Sequence, residues 1–222
     1  MLKGKRIVIT GGAGVLGQAV AQVASRHGAE VVLLDVIDGF ESDLGPTFCV
    51  DLTNAADLAA VFSEIGAFTG VANIAGGFDM GPQVHETSDD MWDFMFEINV
   101  KTLRRVLAQA VPSLVSQGAG TIVNVGAFGA LSGAANMGAY TSAKSTVMRL
   151  TEAQSEEVRH QGVNVNAILP SLIDTPRNRA DMPDADHSQW VSPEALAEVI
   201  CFLSSDRAKA VHGALIPVVG LV

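Results

Sequence analysis

Short apolar runs bounded by glycine alternate along this chain with longer stretches in which apolar residues return every three or four positions. The first pattern is that of buried strands, the second that of amphipathic helices. Runs at 5–10, 31–34, 47–50, 71–77, 121–125 and 163–169 predict six strands, and 212–219 a closing seventh. Helical spacing is expected over 18–27 with a Gly28 stop, and over 55–65 capped by Thr53 or Asn54. A long helix is expected over 88–116, bent late by Pro112, with Asn99 an unusual choice inside it. Another runs over 137–160, and a last begins at Ser192-Pro193-Glu194, with serine as cap and proline at the first position. The segment 36–46 is too short and broken for a crossover helix and predicts a loop. Residues 171–190 are polar, weakly periodic and interrupted by proline, which predicts a mobile stretch.

Strands separated by helices predict an α/β domain around a parallel sheet covered on both faces. No linker, repeat or low-complexity tract interrupts the 222 residues, so one domain is expected over 1–222. The formal charge of −10 argues against nucleic acid and anionic membrane as partners. Cys49 and Cys201, the only two cysteines, are too far apart for a metal site or disulfide framework and read as small reduced core residues. No signal segment precedes the first strand, and no apolar run reaches the ~20 residues that span a bilayer. A cytoplasmic protein is the expectation.

Two motifs carry chemistry. Gly11-Gly12-Ala13-Gly14-Val15-Leu16-Gly17 joins the first strand to the first helix, and the second strand ends on Asp35. Glycines let the backbone approach a pyrophosphate, whose charge meets amides at the helix start. A carboxylate at Asp35 can accept from ribose hydroxyls and would repel a 2′-phosphate, which favours NAD over NADP. Glycines at such turns also serve ordinary parallel αβ packing. The second motif, Tyr140-Thr141-Ser142-Ala143-Lys144, sets a phenol one helical turn from an ammonium. A neighbouring cation favours phenolate, which predicts a proton donor and acceptor working near neutral pH. Tyr and Lys at this spacing also occur on solvated helices.

With Thr10-Gly11, Gly17, Asp35, Asp51-Leu52, Asn73, Ala75-Gly76, Asn99, Tyr140, Lys144, Pro170 and Thr175-Pro176 in this order, the chain resembles the short-chain dehydrogenase/reductase family over essentially its whole length. The resemblance implies a Rossmann-type doubly wound parallel sheet, hydride transfer with a nicotinamide cofactor, a small-molecule substrate, and a homodimer or homotetramer paired through the two long helices. It implies that Gly11 to Gly17 cradle the pyrophosphate and that Asp35, with Val36 beside it, holds the adenine ribose. Asp51 and Leu52 would border the adenine, and Asn73, Ala75 and Gly76 would line the middle of the cofactor. Tyr140 would exchange the proton, Lys144 would hold the nicotinamide ribose, and Asn99 would place a water linking Lys144 to solvent. Pro170, Ile173 and Thr175 would contact the nicotinamide. No metal is implied.

The chain departs from the family pattern at Val15, at Ser171 and, most consequentially, at Ala127, which stands 13 residues before Tyr140 where a catalytic serine is usual. Ser132 or a water could fill that gap, and Ser132 could equally be a solvated turn residue. The serine-less site also resembles that of dihydropteridine reductases, and a cofactor-binding protein with little turnover is a further alternative. Phe78, Met80, Phe128, Met137, Leu172, Met182 and Trp190 are candidate pocket residues, or else core. Arg177 and Arg179 could pair with an acidic substrate group or lie in solvent. The stretch 171–190 would then act as a substrate lid.

Overall fold

A computed structural model of residues 1–222 has seven strands in one parallel sheet, ordered β3-β2-β1-β4-β5-β6-β7. The strands are β1 (Arg6–Thr10), β2 (Glu30–Asp35), β3 (Thr47–Cys49), β4 (Gly70–Asn73), β5 (Gly120–Val125), β6 (Val163–Pro170) and β7 (Leu215–Val218). β1 pairs with β2 on one side and β4 on the other, so the winding direction reverses at β1/β4 and opens a crevice beyond the strand ends there.

Alternation within β1 divides the core in two. Ile7 and Ile9 face a cluster with α1 (Val15–Arg26) and α7 (Pro193–Leu203). Val8 faces the opposite cluster, with α2 (Ala55–Ile65), α4 (Thr102–Gln117) and α5 (Gly138–Val158). Buried on both faces, the central strands are apolar at most positions, which explains their short apolar runs. The asparagines in β6 are satisfied by the segment that returns towards β7. Asn164 Nδ2 and Asn166 Nδ2 donate to Val211 O, and Asn166 Oδ1 accepts from Ala214 N.

Several expected boundaries move. The first helix begins at Val15, three residues early, because Gly14 already serves as its N-cap. The third strand stops at Cys49, short of Asp51, and the fourth at Asn73. As expected, 36–46 carries no helix, and Asn54 caps α2 by accepting from Ala56 and Asp57 N–H groups. The long helix is α3 (Asp89–Phe96), a π-helical turn at Glu97–Lys101, and α4, with Pro112 inside α4. The stretch 171–190 is more ordered than its composition predicts. It contains α6 (Pro176–Asp181), capped by Thr175, and a bridge between Ile173 and Val191. Cys201 is buried as expected, but Cys49 is exposed, because the edge strand β3 leaves its outer side to solvent. No helix is long and apolar enough to cross a membrane.

Candidate active site

A cavity of about 840 Å³ opens where the crevice predicts, beyond the ends of β1, β2, β4, β5 and β6. Gly11, Ala13, Gly14, Val15, Leu16 and Gly17 form its floor. Gly11 is held at φ +69°, and a Cβ there would stand 2.9 Å from Ala75 N. A Cβ on Gly17 would collide with Gly11 O, so the turn and the helix close on each other only through glycine. Helix α1 starts without a side-chain cap, whereas α2, α3, α6 and α7 each have one. Its first-turn residues Val15, Leu16 and Gly17 line the cavity instead. Uncapped amides at a helix start, bordered by glycine, fit a diphosphate.

Asp35 sits at the end of β2 and shapes the turn. Oδ2 accepts from Ala13 N at 2.9 Å, and Oδ1 accepts from Val36 N at 2.8 Å and Ile37 N at 3.3 Å. A carboxylate has lone pairs left beyond these, enough for ribose hydroxyls. Val36, Asp51, Leu52, Ala75, Gly76, Pro170, Ile173 and Thr175 also line the cavity. The donor set therefore fits a nicotinamide dinucleotide from adenine end to nicotinamide end.

Gly12, Asn73 and Asn99 are not on the cavity wall, and each has a supporting role behind it. A Cβ on Gly12 would stand 2.8 Å from Leu33 Cβ, so this glycine serves packing against β2. Buried Asn73 donates to Asn124 Oδ1 at 2.8 Å, Asn124 donates to Thr151 Oγ1 at 2.9 Å, and Thr151 donates to Val147 O. That thread ties the ends of β4 and β5, behind the cleft, to helix α5. Asn99 occupies the π-helical turn, a feature frequent at functional sites. Its Nδ2 donates to Gly77 O and Met95 O, and its Oδ1 accepts from Gly77 N. Its side chain is thus engaged with the Gly77 backbone and with Met95 O.

Tyr140 and Lys144 lie on the first turns of α5, and both line the cavity. Lys144 is buried and donates to Val125 O at 3.0 Å. A Cβ on Gly76 would stand 3.2 Å from Lys144 Nζ and 2.8 Å from Asn99 Oδ1, so only glycine admits both side chains here. The expected acidification of the phenol is not what burial produces. Desolvation pushes Tyr140 up to about 12 and pulls Lys144 down to about 8. Burial therefore favours the neutral form of both groups.

Ala127 lines the cavity with no hydroxyl, and Ser132, exposed at the end of the following turn, does not reach the wall. Ser171 does, but its hydroxyl donates to Val219 O at 2.7 Å. Of the expected pocket residues only Phe78 lines the cavity, edge-on to Tyr140 with ring centroids 4.9 Å apart. Trp190 is buried against His187. Ile37, Val50, Ile98 and Val125 also line the wall and were not anticipated. Only adjacency to the strand ends could have signalled Ile37, Val50 and Val125.

A family model described as enoyl-(acyl carrier protein) reductase matches residues 11–220. The 2-(S)-hydroxypropyl-CoM dehydrogenase 3 of Xanthobacter autotrophicus is 32% identical, over 99% of this chain and 96% of its own. The D-xylose 1-dehydrogenase of Caulobacter vibrioides is 28% identical, over 96% and 93% respectively. A short-chain dehydrogenase/reductase structure from Mycobacterium ulcerans superposes with a TM-score of 0.90 at 26% identity, covering 99% of this chain and 90% of that one. A structure from Beutenbergia cavernae, described as an NAD(P)-dependent gluconate 5-dehydrogenase with NADP bound, gives 0.89 at 27% identity over 99% and 96%. With a glycine cradle, a Tyr–Lys pair in one cleft and these relatives, the chain belongs to the short-chain dehydrogenase/reductase family and is an NAD(P)-dependent dehydrogenase of that type.

Proposed function

We propose that this enzyme interconverts a secondary alcohol and a ketone on a small to medium, largely apolar substrate, with NAD(H) preferred over NADP(H). The observation that carries the reading is that Tyr140 and Lys144 line the same cavity as the glycine turn and Asp35. The nicotinamide supplies the hydride, or accepts it, when the cofactor is bound. The amides at the start of α1, at Val15, Leu16 and Gly17, hold the diphosphate, and the glycine turn from Gly11 lets it approach. Asp35 takes the adenosine ribose hydroxyls and its charge disfavours a 2′-phosphate. Pro170, Ile173 and Thr175 hold the nicotinamide end, with Thr175 Oγ1 also capping α6.

Protonated Tyr140 is suited to give its proton to the carbonyl oxygen during reduction. In oxidation it takes the proton back, aided by the Lys144 charge and by the positive oxidised nicotinamide. Asn99 keeps Gly76 and Gly77 in place beside Lys144. The relatives named as dehydrogenases of 2-(S)-hydroxypropyl-CoM and D-xylose support an alcohol or sugar hydroxyl as the reacting group. Ser171, Ile173, Thr175, Pro176 and Arg177 provide one wall, and the segment to 190 is proposed to close as a lid. Pairing between copies through α4 and α5 is supported by the groove that Leu107, Val111 and Leu150 line between them.

A second reading rests on Ala127. A wall without a second hydroxyl suits a substrate that needs little carbonyl polarisation, such as a quinonoid pterin in a dihydropteridine-reductase-like reaction. NADH fluorescence with a panel of ketones, quinones and quinonoid pterins separates the two. Tyr140→Phe should abolish turnover of whichever class reacts while leaving NADH affinity within about threefold. Turnover at the wild-type rate in that variant would refute the assignment of Tyr140.

A further inference from the structure

Four charged side chains line the cleft, and the sheet sorts them by sign. Asp35 and Asp51 follow β2 and β3 on one side of the β1/β4 reversal. Lys144, bonded to the end of β5, and Arg177, just beyond β6, stand on the other. In a protein of formal charge −10, a cation at this mouth is not the by-product of a basic surface.

Arg179, the other candidate cation of this stretch, is spent. Its Nε and Nη2 donate to the two oxygens of Asp174 at 2.5 and 2.7 Å. Arg177 is not. Its nearest acidic partner is Asp181, 3.7 Å from Nε, and its side chain is 84% exposed. Its mount is nevertheless firm. Thr175 Oγ1 accepts from Asn178 N, Asn178 Nδ2 donates to Ile173 O at 2.8 Å, and Pro176 fixes the backbone between them. A guanidinium fork held only by its loose contact with Asp181, on a braced segment at a cavity that Phe78, Ala127 and Ile173 also line, suits a planar oxyanion.

We propose that Arg177 receives a carboxylate or comparable oxyanion carried by the substrate, so that the natural substrate is an acidic hydroxy or oxo compound. This rests on the dehydrogenase reading above and adds the substrate's charge to it.

The test uses matched ketone probes, levulinate against methyl levulinate and acetoacetate against methyl acetoacetate. Binding is followed by calorimetry on the enzyme loaded with oxidised NAD, where no hydride is available, and reduction by the loss of NADH absorbance on the enzyme loaded with NADH. The wild type should bind each acid about ten- to a hundredfold more tightly than its ester, a preference that weakens with added salt. Arg177→Gln should bring the ratio close to one, and Arg177→Lys should retain part of it. Equal binding of acid and ester by the wild type, or an acid preference that survives in Arg177→Gln, would overturn the proposal. A weaker NADH affinity in Arg177→Gln with the acid preference intact would also overturn it and give the guanidinium to the cofactor diphosphate. Because binding is read apart from turnover, loss of the preference without hydride transfer to any probe supports the anion site and counts only against the dehydrogenase reading.

Discussion

Lys144 should make the protein less stable than it could be, and the size of the cost is open to measurement. The ammonium is buried, and desolvation moves it from 10.5 down to about 8. A drop of that size corresponds to ~3 kcal/mol of penalty on the folded state wherever the group is charged in both states. Replacing it by methionine removes the penalty but leaves Val125 O without its donor, which costs about 1 kcal/mol. Lys144→Met should therefore be more stable than wild type by ~2 kcal/mol at pH 7. At a urea slope of ~2 kcal/mol/M, the midpoint should rise by about 1 M. The advantage must shrink as pH rises. Above pH 8 the folded lysine sheds its proton while the unfolded one keeps it up to 10.5, so the wild type gains stability through that window. Tyr140 and Cys201, both pushed up to about 12 by burial, shift stability in the opposite sense, but both proteins carry them and the difference cancels. Urea titrations of both proteins at pH 6.5 and 9.5 supply the comparison. A variant less stable at pH 6.5, or a gap unchanged between the two pH values, would refute the reasoning.

Ala127→Ser places a hydroxyl on the cavity wall and should raise ketone reduction, by up to the ~10²–10³ that one donor is worth, read as kcat/KM on the best ketone. No gain or a loss would mean that substrate or Phe128 fills the space. Asp35→Asn keeps an oxygen for the turn but removes the charge, and should shift the NADP/NAD ratio of kcat/KM by about tenfold or more towards NADP. An unchanged ratio would take cofactor choice away from Asp35.

The sheet was legible because its central strands are buried on both faces, so short apolar runs such as 31–34 stand out from amphipathic helices. The nucleotide cradle was legible because only glycine can occupy Gly11 and Gly17. What escaped depends on spatial neighbours. That Asn99 serves Gly77 cannot be read 22 positions away along the chain, and the order of 171–190 arises from bonds such as Arg179 to Asp174 in a composition that otherwise suits a loop. Cys49 looked like core because its neighbours in sequence are apolar, but β3 is an edge strand. Helical spacing gives the distance from phenol to lysine but not the depth at which both sit, and that depth raises the one and lowers the other.

The thread from Asn73 through Asn124 to Thr151 has a practical consequence for anyone altering this enzyme's selectivity. Thr151 lies off the cleft, yet its hydroxyl is the last link of the thread that holds the ends of β4 and β5 to the helix that bears the phenol. Libraries restricted to wall positions would overlook it, and a valine there would strand the Asn124 amide and loosen catalysis from behind.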